Sequence, residues 1–180
     1  MTVDADIRDL IDRLAKLHTA AGWDGDLNPT QRAVVGYLGR ANRFSRSPSH
    51  VSDYLGTTRG TTTQSLKSLA QKGYVTEQRS SQDKRVISYT LTEAGQEVAE
   101  AASPLQTALS SLSSGDQTAL HAALTTTLKQ VLVENEGREF GLCGSCIHHK
   151  SRDGNPFCGL LDLALERSEA DQICHEHVSA

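Results

Sequence analysis

From Ser47 to Gly73 the chain reads SPSHVSDYLGTTRGTTTQSLKSLAQKG, two helices with their own start and stop signals and a turn between them. Ser47 is placed to cap the first helix and Pro48 to occupy its first position. Val51 and Leu55 face inward, and Gly56 ends the element. The second helix offers Thr62, Leu66 and Leu69 to a core. Its outward positions are Arg59, Thr61, Thr63, Gln64 and Lys67, and Gly73 stops it.

The surroundings fit this unit. Val3, Ile7, Leu10, Ile11, Leu14 and Leu17 form an apolar stripe at helical spacing that must be covered by something. LNPTQ starts a further helix, with Asn28 as cap, Pro29 in the first turn and Gln31 completing a capping box. After Gly73, YVTEQR and RVISYTL are rich in β-branched and aromatic residues and are separated by the polar SSQDK. They read as a two-stranded ribbon. Thr92 then caps a helical stretch reaching about Glu136, interrupted near Pro104 and at SSGDQ, with Leu120, Leu124, Leu128, Val131 and Leu132 at helical spacing. The fold class is therefore mainly α, a winged helix-turn-helix with a two-stranded β wing. Residues 1–28 form an N-terminal helix, 29–92 the winged helix, 93–139 further long helices, and 140–180 a small separate segment.

The net charge of −4 is unevenly distributed. Residues 44–90 carry seven basic and three acidic side chains, whereas residues 91–180 carry five and thirteen. A polyanion partner therefore belongs to the middle of the chain. A helix rich in small polar side chains suits the major groove of double-stranded DNA. There Arg59 reaches guanine or phosphate, Gln64 pairs with adenine, and Thr61, Thr63 and Lys67 meet thymine or phosphate. Arg79, Lys84 and Arg85 at the wing suit a narrow minor groove, with Asp83 orienting Arg85. Basic excess, polar helix face and charged wing together favour DNA over a protein-docking face. His18 and His121 read as ordinary helix histidines, and His50 as a surface or phosphate-side residue.

At LGTTRGTTTQSLKSLAQKGYV, SSQDKRVISYTLTEAG and the long flanking helices, the sequence resembles the MarR family of winged-helix transcriptional regulators over roughly residues 5–135. The resemblance implies a homodimer whose first and last helices interlock. It also implies a pseudo-palindromic operator, with Arg85 of each wing in the minor groove. A two-fold partner would cover the apolar stripe of the first helix and the leucine series after Leu120. Many members of that family bind small aromatic effectors; Trp23 and Tyr37 are candidates for such a pocket, though core is the commoner role for such residues.

The four cysteines of the chain, Cys143, Cys146, Cys158 and Cys174, all lie in the last 41 residues, separated by two, eleven and fifteen positions. So short a segment cannot bury a large core, and a metal centre would tie its turns together. Two close ligand pairs would suit zinc. Here the third and fourth cysteines stand alone, which favours a polyhedral iron–sulfur cluster, 4Fe-4S, with zinc as the alternative. Phe140, Leu142, Ile147, Phe157, Leu160, Leu161 and Ile173 could shield such a centre, and Gly144 and Gly159 leave backbone amides to approach sulfur. CxxCxHH, FCGLL and ICHEH also resemble the small modules similar to high-potential iron–sulfur proteins. His148, His149, His175 and His177 read as partly exposed neighbours.

The acidic start MTVDADIRDL lacks a basic region followed by an apolar run, and no segment approaches the roughly 20 apolar residues of a membrane span; a cytoplasmic protein is expected. No nucleophile, base and orienter recur in an interpretable arrangement, so no enzyme is expected. The sequence thus predicts a DNA-binding repressor whose operator affinity responds to a cluster sensing redox state, oxygen or iron. The alternatives are a regulator with structural zinc and a small-molecule effector, and an electron-transfer subunit.

Overall fold

Each helix of the middle segment begins on a side-chain cap. In the computed structural model, which describes residues 2–22, 25–81, 83 and 85–179, helix α2 (Pro29–Arg40) opens on a reciprocal box. Gln31 N donates to Asn28 Oδ1 at 2.9 Å, and Asn28 N donates to Gln31 Oε1 at 3.1 Å. Helix α3 (Pro48–Leu55) starts with His50 N donating to Ser47 Oγ at 3.2 Å, and helix α4 (Arg59–Gln71) with Thr61 N donating to Thr58 Oγ1. Gly56 closes α3 at φ 61°, a left-handed conformation that glycine adopts without a Cβ clash.

These three helices and the ribbon β1 (Val75–Arg79) and β2 (Ile87–Leu91) enclose one apolar core. Val34, Val35, Leu38, Val51, Leu66 and Leu69 are at most 1% exposed. Each such side chain contributes about 1.5–3 kcal/mol by leaving water. The ribbon is antiparallel, pairing Val75 with Leu91 and Arg79 with Ile87. Tyr89 fills its inner face and donates its hydroxyl to Glu77 Oε2 at 2.9 Å. Helix α5 (Glu93–Glu100) follows the ribbon directly. It sits so close to the main chain at Tyr74 that a Cβ at Gly95 would fall 2.1 Å from the Tyr74 carbonyl oxygen.

The outer helices behave differently. Helix α1 (Val3–Ala21), α6 (Pro104–Ser110) and α7 (Ser114–Glu134) bury no residue. The α1 stripe from Val3 to Leu17 is 40–76% exposed, as are Leu120, Leu124, Leu128 and Val131 at 38–58%. Among the described residues, none of these side chains is buried. Among the described residues, no helix is long and apolar enough to cross a membrane.

The last segment is made of short strands rather than helices. β3 (Gly141–Leu142) pairs antiparallel with β7 (Ile173–Cys174). β4 (His149–Arg152), β5 (Asn155–Cys158) and β6 (Leu163–Ala164) form a three-stranded antiparallel sheet with β5 in the centre. Two 3₁₀ turns, Cys143–Ser145 and Arg167–Asp171, complete it. Ile173 belongs to the core of the winged helix, so the two units share a boundary residue.

Candidate nucleic-acid interface and cysteine centre

Burial of Thr62, Ser65, Leu66 and Leu69 turns the opposite face of α4 outward, where Arg59, Thr61, Gln64 and Lys67 are exposed and Thr63 is half-buried. The threonines are ordered locally. Thr63 Oγ1 donates to Arg59 O at 2.8 Å, and the Thr58 and Thr61 hydroxyls lie 2.9 Å apart. Arg59 and Gln64 make no side-chain hydrogen bond among the described residues, leaving their polar ends available for an outside ligand.

The wing tip is closed by Ser80 N donating to Val86 O at 3.0 Å and Val86 N donating to Asp83 O at 2.9 Å. Asp83 Oδ1 accepts from Arg85 N at 2.9 Å and from Arg85 Nε at 3.3 Å, while the Arg85 side chain remains 94% exposed. Arg79 is tied along the strand instead, with Nη2 2.8 Å from Glu77 Oε1. The Tyr89 hydroxyl, and after it Arg79, hold the Glu77 carboxyl below its usual pKa. Lys84 lies outside the described residues, as does Trp23. Tyr37 is buried and donates its hydroxyl to Ser45 O at 2.6 Å, a packed core role.

In the tail, Cys143, Cys158 and Cys174 are buried together with Leu165, flanked by Phe44 and Leu161. The Cys143 thiol is pushed up to about 12, by burial first and then by the neighbouring Cys174, Cys158 and Cys146 sulfurs, so all four cysteines bear on one region. Cys146 is half-buried, and its Sγ accepts from Val178 N at 3.5 Å. All four are free thiols. Among the described residues, no three His, Cys, Asp or Glu groups converge closely enough to hold a single ion. Of the two glycines noted for their amides, Gly159 has its N–H taken by His148 O at 2.8 Å. Gly144 lies close to Ala170, whose carbonyl a Cβ would meet at 3.0 Å.

The tail sits on the α2–α3 loop, residues 41–47, a contact that reading the sequence missed. Asn42 N donates to Ile173 O and His175 N donates to Ser45 Oγ, each at 2.9 Å. Arg43 Nη1 lies 2.9 Å from the carboxylate of Glu169, whose side chain is 4% exposed, and Arg43 Nη2 donates to Ala164 O at 2.8 Å. His50 is half-buried rather than a plain surface residue. Its ring stacks on His175 with centroids 3.4 Å apart, and burial, then His175, pushes its pKa down to about 4. His177 is buried rather than partly exposed, against Gly141, where a Cβ would fall 2.5 Å from the imidazole. Only pairing across distant sequence positions reveals these contacts; the capped ends of α2 and α3 mark the loop without saying what it receives.

A cleft of about 600 Å³ separates α7 from the tail and α3, lined by Tyr54, His121, Leu128, Arg138 and Phe140 among others.

Residues 25–86 match the model of the MarR family. No curated protein matches the chain. Solved structures do. The MarR/EmrR family transcriptional regulator from Acinetobacter sp. ADP1 is 25% identical, covering 73% of this chain and 98% of its own, with a TM-score of 0.58. Streptococcus pneumoniae FabT in complex with DNA is 24% identical over 73% of this chain and 96% of its own, also with a TM-score of 0.58. The Staphylococcus aureus MepR–DNA complex is 22% identical over 73% and 99%, with a TM-score of 0.56. Residues 25–86 are therefore similar to the MarR family and share the fold of these structures, and the four-cysteine segment lies beyond the family match.

Proposed function

We propose that this protein is a cytoplasmic, homodimeric transcriptional regulator, a repressor rather than an enzyme, that binds a pseudo-palindromic operator and carries an iron–sulfur cluster, 4Fe-4S, on Cys143, Cys146, Cys158 and Cys174. The observation that carries this reading is the seating of a thiol-lined core on the loop that leads into the helix-turn-helix. In the proposed DNA complex, Arg59 and Gln64 read base edges from α4, while Thr61, Thr63 and Lys67 meet phosphate or thymine. Arg85, oriented by Asp83, enters the minor groove together with Lys84, and Arg79 contacts the backbone beside it.

Two solved relatives of the same fold are DNA complexes, which supports the partner. The uncovered stripes of α1 and α7 support a second copy, whose two-fold axis would set two recognition helices about one DNA turn, roughly 34–36 Å, apart. The spacing of the cysteines along the chain, with the third and fourth standing alone, supports a cluster over zinc. When bound, such a group supplies a centre whose oxidation state or presence varies with oxygen, iron supply or redox poise.

The test is anaerobic purification with iron, acid-labile sulfide and zinc quantified on one sample, followed by operator binding before and after removal of the metal. Iron and sulfide in equal amounts, with an operator affinity that changes on removal, are expected. Zinc alone would leave the thiols a structural role and make the 600 Å³ cleft beside Phe140 the place to look for a small-molecule effector.

A further inference from the structure

One side chain of the DNA-reading half reaches the cysteine centre. Asn42 is 1% exposed. Its Oδ1 accepts from Ser45 Oγ at 2.7 Å and from Phe44 N at 3.2 Å, which fixes the orientation of the amide and directs Nδ2 away from the loop. Nδ2 is fully buried and closes no hydrogen bond of ordinary geometry. The backbone N–H of Asn42 is bonded to the carbonyl of Ile173, the residue before Cys174, which sets Asn42 next to that buried cysteine. A buried donor left open is costly, and a neutral thiol is a poor acceptor for it. A metal-bound thiolate is a good one, because charge on the acceptor strengthens the bond.

The backbone holds this arrangement in register. The bonds Asn42 N to Ile173 O and His175 N to Ser45 Oγ clamp the residues on either side of Cys174 to the loop. Phe44 of the same loop packs against the thiol cluster. Two residues beyond Ser45, Ser47 caps α3.

Resting on the reading of the four thiols given above, we propose that Asn42 is a positioning residue of the metal centre: its amide donates to the Cys174 sulfur in the loaded protein, so that loop 41–47 carries the state of the centre to α3. Hydrogen bonds to ligand sulfur raise the reduction potential of a cluster by stabilising the added negative charge.

Asn42→Asp tests this, because it keeps an oxygen to accept from Phe44 and Ser45 and replaces the donor with a negative charge. Full-length protein is loaded anaerobically and titrated electrochemically. The variant is expected to favour the oxidised form by about tenfold, a fall of roughly 59 mV for one electron. It is also expected to release iron faster and to show a smaller difference in operator affinity between loaded and stripped protein. A second measurement needs no variant: in wild-type protein labelled with ¹⁵N only at asparagine, the reduced cluster should show a hyperfine coupling to a side-chain nitrogen. A loaded variant with wild-type potential and iron release, or a wild-type protein without that coupling, overturns the proposal. A wild-type chain that holds no iron overturns the preceding reading and this one with it, and metal analysis reports that before any variant is compared.

Discussion

The winged helix and the cysteine tail are both small units, but they close their interiors with different materials. The first is sealed by aliphatic side chains: Val34, Val35, Leu38, Val51, Leu66 and Leu69 reach complete or nearly complete burial. In the second, three of the four buried members of the cluster are thiols, and Leu165 is the fourth. Hydrophobic burial needs nothing from outside the chain. Small thiols remove less apolar surface from water than those aliphatic side chains do, and on the function proposed above the group they hold makes up the difference. The difference teaches that the first half closes on aliphatic burial, whereas the second closes on thiols and on the surface of the first.

The sharpest way to break that comparison is Cys174→Ser. Prepared without oxygen, this variant should retain no iron or sulfide and should lose amide protection throughout residues 141–179. Residues 29–92 should keep theirs, as read by hydrogen exchange. Collapse of both halves together would show that the winged helix leans on the tail. The complementary change, Leu66→Ala, opens a cavity in the aliphatic core and should cost about 2–5 kcal/mol, measured by denaturant unfolding.

Arg85→Ala addresses function rather than folding. Loss of a nearly fully exposed side chain should leave stability unchanged, weaken operator binding by about 1–3 kcal/mol and reduce the salt dependence of binding. Unchanged affinity and salt slope would remove the wing from the DNA contact. At the seam between the halves, Arg43→Ala strips the partner from the buried Glu169 carboxylate and should destabilise tail docking by about 1–2 kcal/mol, visible as faster exchange in residues 163–174.

The smallest effect is a pH dependence at the same seam. The folded-state pKa of His50 is depressed to about 4, below the roughly 6.5 of an unfolded histidine. Asp53 and Glu176 oppose that shift, while His175 and Arg138 add to it. Stability is therefore fully present above pH 6.5 and declines as pH falls from there toward 4, because the unfolded chain takes up the proton first. Melting curves at pH 7.5 and 5.0 should show this decline, and His50→Phe, which preserves an aromatic face, should diminish it.

Much of the winged helix was legible because its determinants are local. Asn28 with Gln31, Ser47 with Pro48, and Gly56 announce helix ends within four residues of where they act. The ribbon announces itself through its β-branched residues, and the bare stripes of α1 and α7 through their periodicity. The tail was legible only as a composition, four cysteines in a short acidic stretch. Its contacts with the rest go beyond the one implied by chain order. Cys143 begins a few residues after α7, which suggests a signal passed through the outer helices. The contacts of Arg43 with Glu169, Ser45 with His175 and His50 with His175 add a junction at the entrance to α3 to the one that Lys129 of α7 makes with Ser179 and Glu139. No local pattern encodes the pairings at α3, since each joins residues more than a hundred positions apart.

The parallel bridge between Ala41 and Ile173 has a practical corollary for anyone hoping to borrow this segment. The tail is not a portable cassette, because its final strand completes itself on backbone supplied by its host. A chimaera that moves residues 140–180 onto another scaffold must bring the receiving loop with them, or find a scaffold that already offers a matching edge.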